Sequence, residues 1–250
     1  GPVDQLEILL YQQSPGDDGG SITIVQFASD CSEARDFDGD GIPDYLDADS
    51  DNDGISDILE AGGTDIDGDG QIDYPVSGDP TSMIDTDGDG LVNSLDPSTG
   101  GTALPLFNTD SNGRPDFLDI DADDDGIVDN IEGQTTLGYT APSNMDVDRD
   151  GIDDAYDVDF GNTAIGLANK DMDALADYRD TDTDGDGESD LIEGYDLNND
   201  GVAEIVPSGI DADGDGLDDA FDLDMGAFGP GDPINGGQIP TDFPASAVNN

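Results

Sequence analysis

The stretch Asp49-Ser50-Asp51-Asn52-Asp53-Gly54-Ile55-Ser56-Asp57-Ile58-Leu59-Glu60 limits what this chain can fold into more than any other feature. Counted as a twelve-residue loop, it carries acids at positions 1, 3, 5, 9 and 12 and a glycine at position 6. A hard cation such as Ca²⁺ takes six to eight oxygen ligands, so a chain that binds it must bring several acids to one point. Spacing of two puts Asp49, Asp51 and Asp53 on the inside of a tight curve. Gly54 allows the positive φ that reverses the chain, the Ile55 carbonyl can turn inward, and Glu60 closes the shell. The competing reading of one such stretch, taken alone, is a solvated acidic run.

The stretch recurs, and internal repetition outranks other signals. Before it stands Asp36, Asp38, Asp40, Gly41, Asp44, Asp47, and after it Asp65, Asp67, Asp69, Gly70, Asp73, with Val76 where the last acid would be. Then comes Asp85, Asp87, Asp89, Gly90, Asn93, Asp96. A second round holds the diluted copy Asn108, Asp110, Asn112, Gly113, Asp116, Asp119, the full copy Asp121, Asp123, Asp125, Gly126, Asp129, Glu132, and Asp146, Asp148, Asp150, Gly151, Asp154, Asp157. A third opens with Asn169, Asp171, Asp173, Asp177, Asp180, where Ala174 replaces the glycine, and continues with Asp182, Asp184, Asp186, Gly187, Asp190, Glu193. It ends with Asp196, Asn198, Asp200, Gly201, Glu204 and with Asp211, Asp213, Asp215, Gly216, Asp219, Asp222, which makes eleven loops.

A longer period lies above the short one. Tyr45-Leu46-Asp47-Ala48-Asp49, Phe117-Leu118-Asp119-Ile120-Asp121 and Tyr178-Arg179-Asp180-Thr181-Asp182 hold the same place in three units, at residues 36–96, 108–157 and 169–222. Gly/Pro-rich connectors at 97–107 and 158–168 separate them, and 223–250 reads as another connector. Residues 1–30 differ: Leu6–Tyr11 and Ile22–Phe27 are rich in strand formers and flank a turn signal at Ser14–Gly20, which predicts a short β-hairpin. Gly1-Pro2 reads as a tag-cleavage scar, which leads to the expectation of a fragment whose parent chain carries further units.

Charge settles what such a chain needs. Five basic residues face 63 acidic ones for a net charge of −58, a balance that works against compaction without a cation. Eleven divalent ions would bring −58 to −36 and twenty-two would bring it to −14, so more ions than loops are expected. Five basic residues cannot build a phosphate-binding surface, which excludes nucleic acid. The absence of His removes the usual acid–base group and the commonest zinc ligand, and no nucleophile–base pair stands out, so no enzyme is expected. Cys31 is alone, so no internal disulfide is possible, and no apolar run approaches the length of a membrane span.

A paired helix–loop–helix sensor does not fit. The doublets leave one residue, Ala48 or Ile120, between loops, so at most one helical turn fits at positions 9–12. The expected fold is an irregular tandem loop array with little regular secondary structure, each loop touching its neighbours. Aliphatics at position 7 (Ile42, Ile55, Leu91, Ile127, Ile152, Leu175, Val202, Leu217) and apolar residues at position 11 (Leu46, Leu59, Leu95, Leu118, Ile131, Tyr156, Ile192, Phe221) are expected as small plugs between successive loops.

The string D-x-D-x-D-G-[apolar]-x-D-x-x-[D/E] resembles the thrombospondin type 3 repeat family over residues 36–222. The resemblance implies a calcium-stabilised fold, with Ca²⁺ held by the acids at positions 1, 3, 5 and 12 and by the position 7 carbonyl. Those carbonyls belong to Ile42, Ile55, Gln71, Leu91, Arg114, Ile127, Ile152, Leu175, Glu188, Val202 and Leu217. The acid at position 9 would bind through water or serve a second ion. Animal members staple their repeats with disulfides; here Tyr45, Leu46, Ile58 and Leu59 stand at positions 10 and 11, in a style similar to long surface proteins of Bacteroidota-type bacteria. The function these features point to is a calcium-stiffened spacer in a secreted or surface-anchored adhesin, joined to flanking domains of the same chain. The alternative is a module that uses calcium to bind a surface glycan or protein.

Overall fold

The structure is a computed structural model that describes residues 35–72, 85–88, 92–223, 236–244 and 246–248. Chain contacts separate Gly1–Arg35 from Asp36–Asn250, and the described residues other than Arg35 belong to the second unit. The hairpin expected over residues 1–30 lies outside the described residues, as do Asp73, Asp89 and Leu91.

Regular secondary structure is scarce. Among the described residues there is no strand, and no helix is long and apolar enough to cross a membrane. The α-helical segments are α1 (Asp57–Glu60), α2 (Asp129–Glu132) and α3 (Asp190–Tyr195), and 3₁₀ turns cover Asp44–Leu46, Asp116–Leu118 and Asp177–Arg179. All six start at position 9, after a position 8 residue held extended with ψ between 142° and 153°. In the first loop of each doublet only a 3₁₀ turn forms, because Asp47, Asp119 and Asp180 return to extended backbone to begin the next loop. In the second loop an α turn completes, and α3 runs on to Tyr195, further than the single turn the spacing suggests.

Each segment is closed by its own acids. In all ten loops whose position 9 is described, the position 9 side chain accepts a hydrogen bond from the N–H of position 2, at 2.6–3.0 Å. In eight of them the position 9 N–H also donates to the carbonyl of the residue before the loop, as Asp57 does to Ala48 and Asp129 to Ile120, both at 2.9 Å. Two bonds nine residues apart or less thus pinch the loop shut. Position 5 accepts from the N–H of position 7, as Asp53 does from Ile55 at 2.7 Å and Asp125 from Ile127 at 2.9 Å. The chain reverses at two places: position 6, where Gly54 has φ +94°, and position 4, where Asn52, Asp124 and Asn199 have φ of 58–59°. Gly, Asn and Asp visit that region at the least cost, and Arg149 and Met172 hold it at position 4 of their loops as well, with φ of 68° and 63°.

Among the described residues, apolar burial gathers mainly in two clusters. One gathers Ile55, Ile152, Tyr156, Ile165 and Tyr178; the other gathers Ile120, Ile127, Leu217, Phe221 and Val248. The plugs do not join successive loops as expected. Tyr156 covers Gly54, and Phe221 covers Gly126, so the position 11 aromatic of a closing loop seats on the position 6 glycine of a full loop about 100 residues earlier. The same shift appears in the backbone, where Ala48 N–H donates to the Asp150 carbonyl at 3.0 Å and Ile120 N–H to the Asp215 carbonyl at 3.2 Å. Three expected plugs face solvent instead: Leu46, Leu175 and Val202 are 62%, 39% and 63% exposed. Their loops are first or weak copies with no aromatic of a later unit seated on them.

Tyr156→Ala and Phe221→Ala should each lower the stability of the cation-loaded chain by about 3–5 kcal/mol, as for other large aromatics removed from a core. Leu46→Ala should change it by less than about 0.5 kcal/mol. Thermal melts in millimolar calcium check both, and equal losses at Tyr156 and Leu46 would contradict the packing described.

Candidate metal centres

Two of the loops bury most of their acids. Asp49, Asp51, Asp53 and Glu60 are at most 1% exposed, and Asp121, Asp129 and Glu132 are fully buried. The side-chain oxygens of Asp49, Asp51 and Asp53 lie within 4.8 Å of one another, as do those of Asp121, Asp123 and Asp125. Opposite ligands of one calcium ion stand at most ~5 Å apart, so each trio fits within a single coordination shell. Asp36, Asp38 and Asp40 and the more exposed Asp65, Asp67 and Asp69 converge in the same way.

The carboxylates divide their oxygens between the loop and its centre. Asp49 Oδ2 accepts from Gly54 N–H at 2.9 Å and Asp53 Oδ1 from Ile55 N–H at 2.7 Å, whereas Asp49 Oδ1, Asp53 Oδ2 and both Glu60 oxygens are buried with no hydrogen-bond partner. In the second full loop Asp121 Oδ2 accepts from Gly126 N–H at 3.0 Å and Asp125 Oδ1 from Ile127 N–H at 2.9 Å, which leaves Asp121 Oδ1, Asp123 Oδ2, Asp125 Oδ2 and both Glu132 oxygens orphaned. A buried charge without a partner costs several kcal/mol, and several of one sign in one place cost more. Burial, then the charges of Asp53 and Asp51, drive Asp49 far above the carboxylate range, and burial, with a smaller push from Asp57 and from Asp124, raises Asp53 and Asp125 to about 7. This donor set, all hard oxygens without nitrogen or sulfur, fits calcium. The chemistry it supports is cation binding.

The expected ligands differ in what they do. Position 9 serves the loop first: its oxygen holds position 2, which explains why Asn93 stands there without loss of the bond, at 2.9 Å to Thr86 N–H. In the diluted loop from Asn108, the Asn108 amide donates to the Arg114 carbonyl and the Asn112 amide to Asp119 Oδ2, so amide hydrogens sit against atoms that an Asp loop would turn on a cation. The Asn169 amide meets the Leu175 carbonyl likewise, and the Asn198 amide meets Glu204. Basic side chains accompany the two loops that open with Asn: Arg114 pairs with Asp211 at 3.0 Å, Arg179 with Asp116 at 3.1 Å, and Lys170 with Asp184 at 3.9 Å. Asp85, Asp87, Asp148, Asp171, Asp173, Asp186, Glu188 and Asp200 stand exposed, unlike the acids of the full loops. Asp146, Asp150, Asp182 and Asp196 hold the Gly151, Ile152, Gly187 and Gly201 N–H groups at 2.6–3.1 Å and so repeat the closing pattern.

No protein-family model matches this chain, and no curated protein matches it.

The raised carboxylates carry a sign for the cation-free chain. A group whose pKa is raised on folding stabilises the fold below its unfolded value, near 4, and that contribution is lost as pH rises through its folded value. Burial raises Asp53 and Asp119 to about 7 and Asp47 and Asp190 to about 8. In chelator, lowering the pH from 8 to 5 should therefore recover part of the near-ultraviolet circular dichroism of Tyr156 and Tyr178. In calcium the trend reverses, because protons compete with the ion. A chelated chain whose signal is the same at both pH values would contradict the burial of these acids.

Proposed function

We propose that this chain is a calcium-stiffened spacer, a tandem array of irregular loops resembling thrombospondin type 3 repeats. Each intact loop takes at least one Ca²⁺, and the array links flanking domains of a longer secreted or cell-surface adhesin of bacterial type. One observation carries the reading: Asp53 Oδ2, Glu60 Oε1 and Oε2, Asp125 Oδ2 and Glu132 Oε1 and Oε2 are buried carboxylate oxygens with nothing to satisfy them. Two apolar clusters of a few residues each cannot offset that cost, and a divalent ion can. Ligand binding then supplies folding free energy, and order follows the calcium concentration of the medium. Extracellular calcium modules bind at about 10⁻⁴–10⁻³ M, which suits a chain that orders outside the cell.

Small-angle scattering tests the reading. Excess EDTA should raise the radius of gyration toward the ~55 Å of an unfolded chain of 250 residues, and restored calcium should reverse the change. A scattering profile indifferent to EDTA would refute a calcium-dependent spacer.

A second reading has its own observation. An open groove of about 360 Å³ is lined by Gln134, Thr135, Thr140 and Thr163, with hydroxyl and amide groups suited to sugar hydroxyls. Binding on a glycan array that requires calcium would favour this module; no binding with or without calcium would leave the spacer.

A further inference from the structure

The second loops of successive units meet acid to acid. Asp53 and Glu60, positions 5 and 12 of the first full loop, converge with Asp129, position 9 of the next unit's full loop, their oxygens all within 4.8 Å of one another. All three residues are fully buried. Asp53 Oδ2, Asp129 Oδ2 and both Glu60 oxygens have no hydrogen-bond partner. The other oxygens are spent on the backbone: Asp53 Oδ1 on Ile55 N–H and Asp129 Oδ1 on Ala122 N–H, at 2.7 and 3.0 Å. Asp129 is therefore held by its own loop with one oxygen and presents the other to a loop about 70 residues earlier.

The surroundings are built for this contact. Asp119 N–H donates to Asp51 Oδ2 at 2.7 Å, and the Asn130 amide donates to the Asp53 carbonyl at 2.5 Å and to Tyr156 Oη at 3.0 Å. Those bonds hold the two loops face to face. The basic side chains that pair across the fold, Arg114, Lys170 and Arg179, go to Asp211, Asp184 and Asp116. Three carboxylates with four free oxygens and a dry enclosure are a cation site rather than a solvated acidic patch.

We propose that a calcium ion bridges the first and second units here, bound by Asp53, Glu60 and Asp129. It is additional to the ions within the loops, and the proposal rests on the calcium reading above. One unit on, the same positions again carry buried oxygens without a partner. Asp125 Oδ2, both Glu132 oxygens and Asp190 Oδ1 are buried and unpartnered, and Asp190 is again position 9 of the following unit's full loop. Glu132 and Asp190 each feel the charge of the other loop, Glu132 that of Asp190 and Asp190 that of Asp125. The groups at both junctions hold the same places: positions 5 and 12 of one unit, position 9 of the next. Such a bridge accounts for an ion count above the number of loops, and it makes calcium the link between units as well as the filling of each loop.

Asp129→Asn tests the bridge, because the amide oxygen keeps the bond to Ala122 N–H, as Asn93 does in its own loop, while the second ligand oxygen is lost. Asp57→Asn is the control. Asp57 has the same place in its own loop, but both its oxygens are used by Ser50. Native mass spectrometry in saturating calcium should find one ion fewer in Asp129→Asn than in Asp57→Asn. Equal counts would overturn the bridge and leave the loop ions standing. Should Asp129→Asn lose its fold, crystals of the unaltered chain grown with terbium decide the matter. An anomalous peak between Asp53, Glu60 and Asp129 supports the bridge, and peaks within the loops but none there overturn it. Peaks nowhere would overturn the calcium reading itself.

Discussion

Like charges held inside a fold are what the rest of this structure depends on. Asp49, Asp51, Asp53 and Glu60 are buried in one full loop, Asp121, Asp123, Asp125 and Glu132 in another, and Asp129 of the second converges with Asp53 and Glu60 of the first. Asp49, Asp53, Asp121 and Asp125 each spend one oxygen on a backbone N–H of their own loop and leave the other without a partner. The first oxygen shapes the loop; the second makes the shape unaffordable without a cation. Loop geometry and ion binding are thus the same property seen from two oxygens of one side chain.

Much of this was legible in the sequence. Alternate acids at positions 1, 3 and 5 do converge, the single residue between doublet loops does exclude long helices, and scarce regular structure follows from both. Position 9 was harder to read. Its bond to position 2 depends on the chain crossing back over itself, and an acid that caps looks the same in a string of letters as an acid that ligates. A signal was available: Asn93 and Glu204 stand at position 9, residues that can accept a hydrogen bond but would change a ligand set. Position 4 was missed for a similar reason. Gly39, Gly68, Gly88, Gly185 and Gly214, with Asn52 and Asn199, all stand there, and all have positive φ. The glycine at position 6, replaced only by Ala174, is the more uniform pattern.

The long-range packing was not legible at all. Nothing local in Tyr156 or Phe221 says that each covers a glycine of a loop about 100 residues away. A one-dimensional array suggests neighbour on neighbour, whereas here a closing loop and the full loop of the preceding unit form the packed pair. That shift also separates buried plugs such as Ile55 and Ile127 from exposed ones such as Leu175 and Val202, which share their position and chemistry. The diluted loops gain a role from the same geometry. Where Asn108 and Asn169 replace Asp, amide hydrogens take up acceptors in the loop, and Arg114, Lys170 and Arg179 carry fixed positive charge to acids of other loops. Protein cations and amides there do part of what a bound ion would do in the full loops.

Hydrogen exchange of the backbone amides in Asp49–Glu60 and Asp121–Glu132 measures the central claim most directly. At pH 8 in millimolar calcium, the Gly54, Ile55, Gly126 and Ile127 N–H groups, each bonded to an acid of its own loop, should be strongly protected. In chelator at the same pH they should exchange at close to the rate of an unstructured chain. Protection that persists in chelator would show that the acids stay buried and ordered with no cation among them, and would contradict the account.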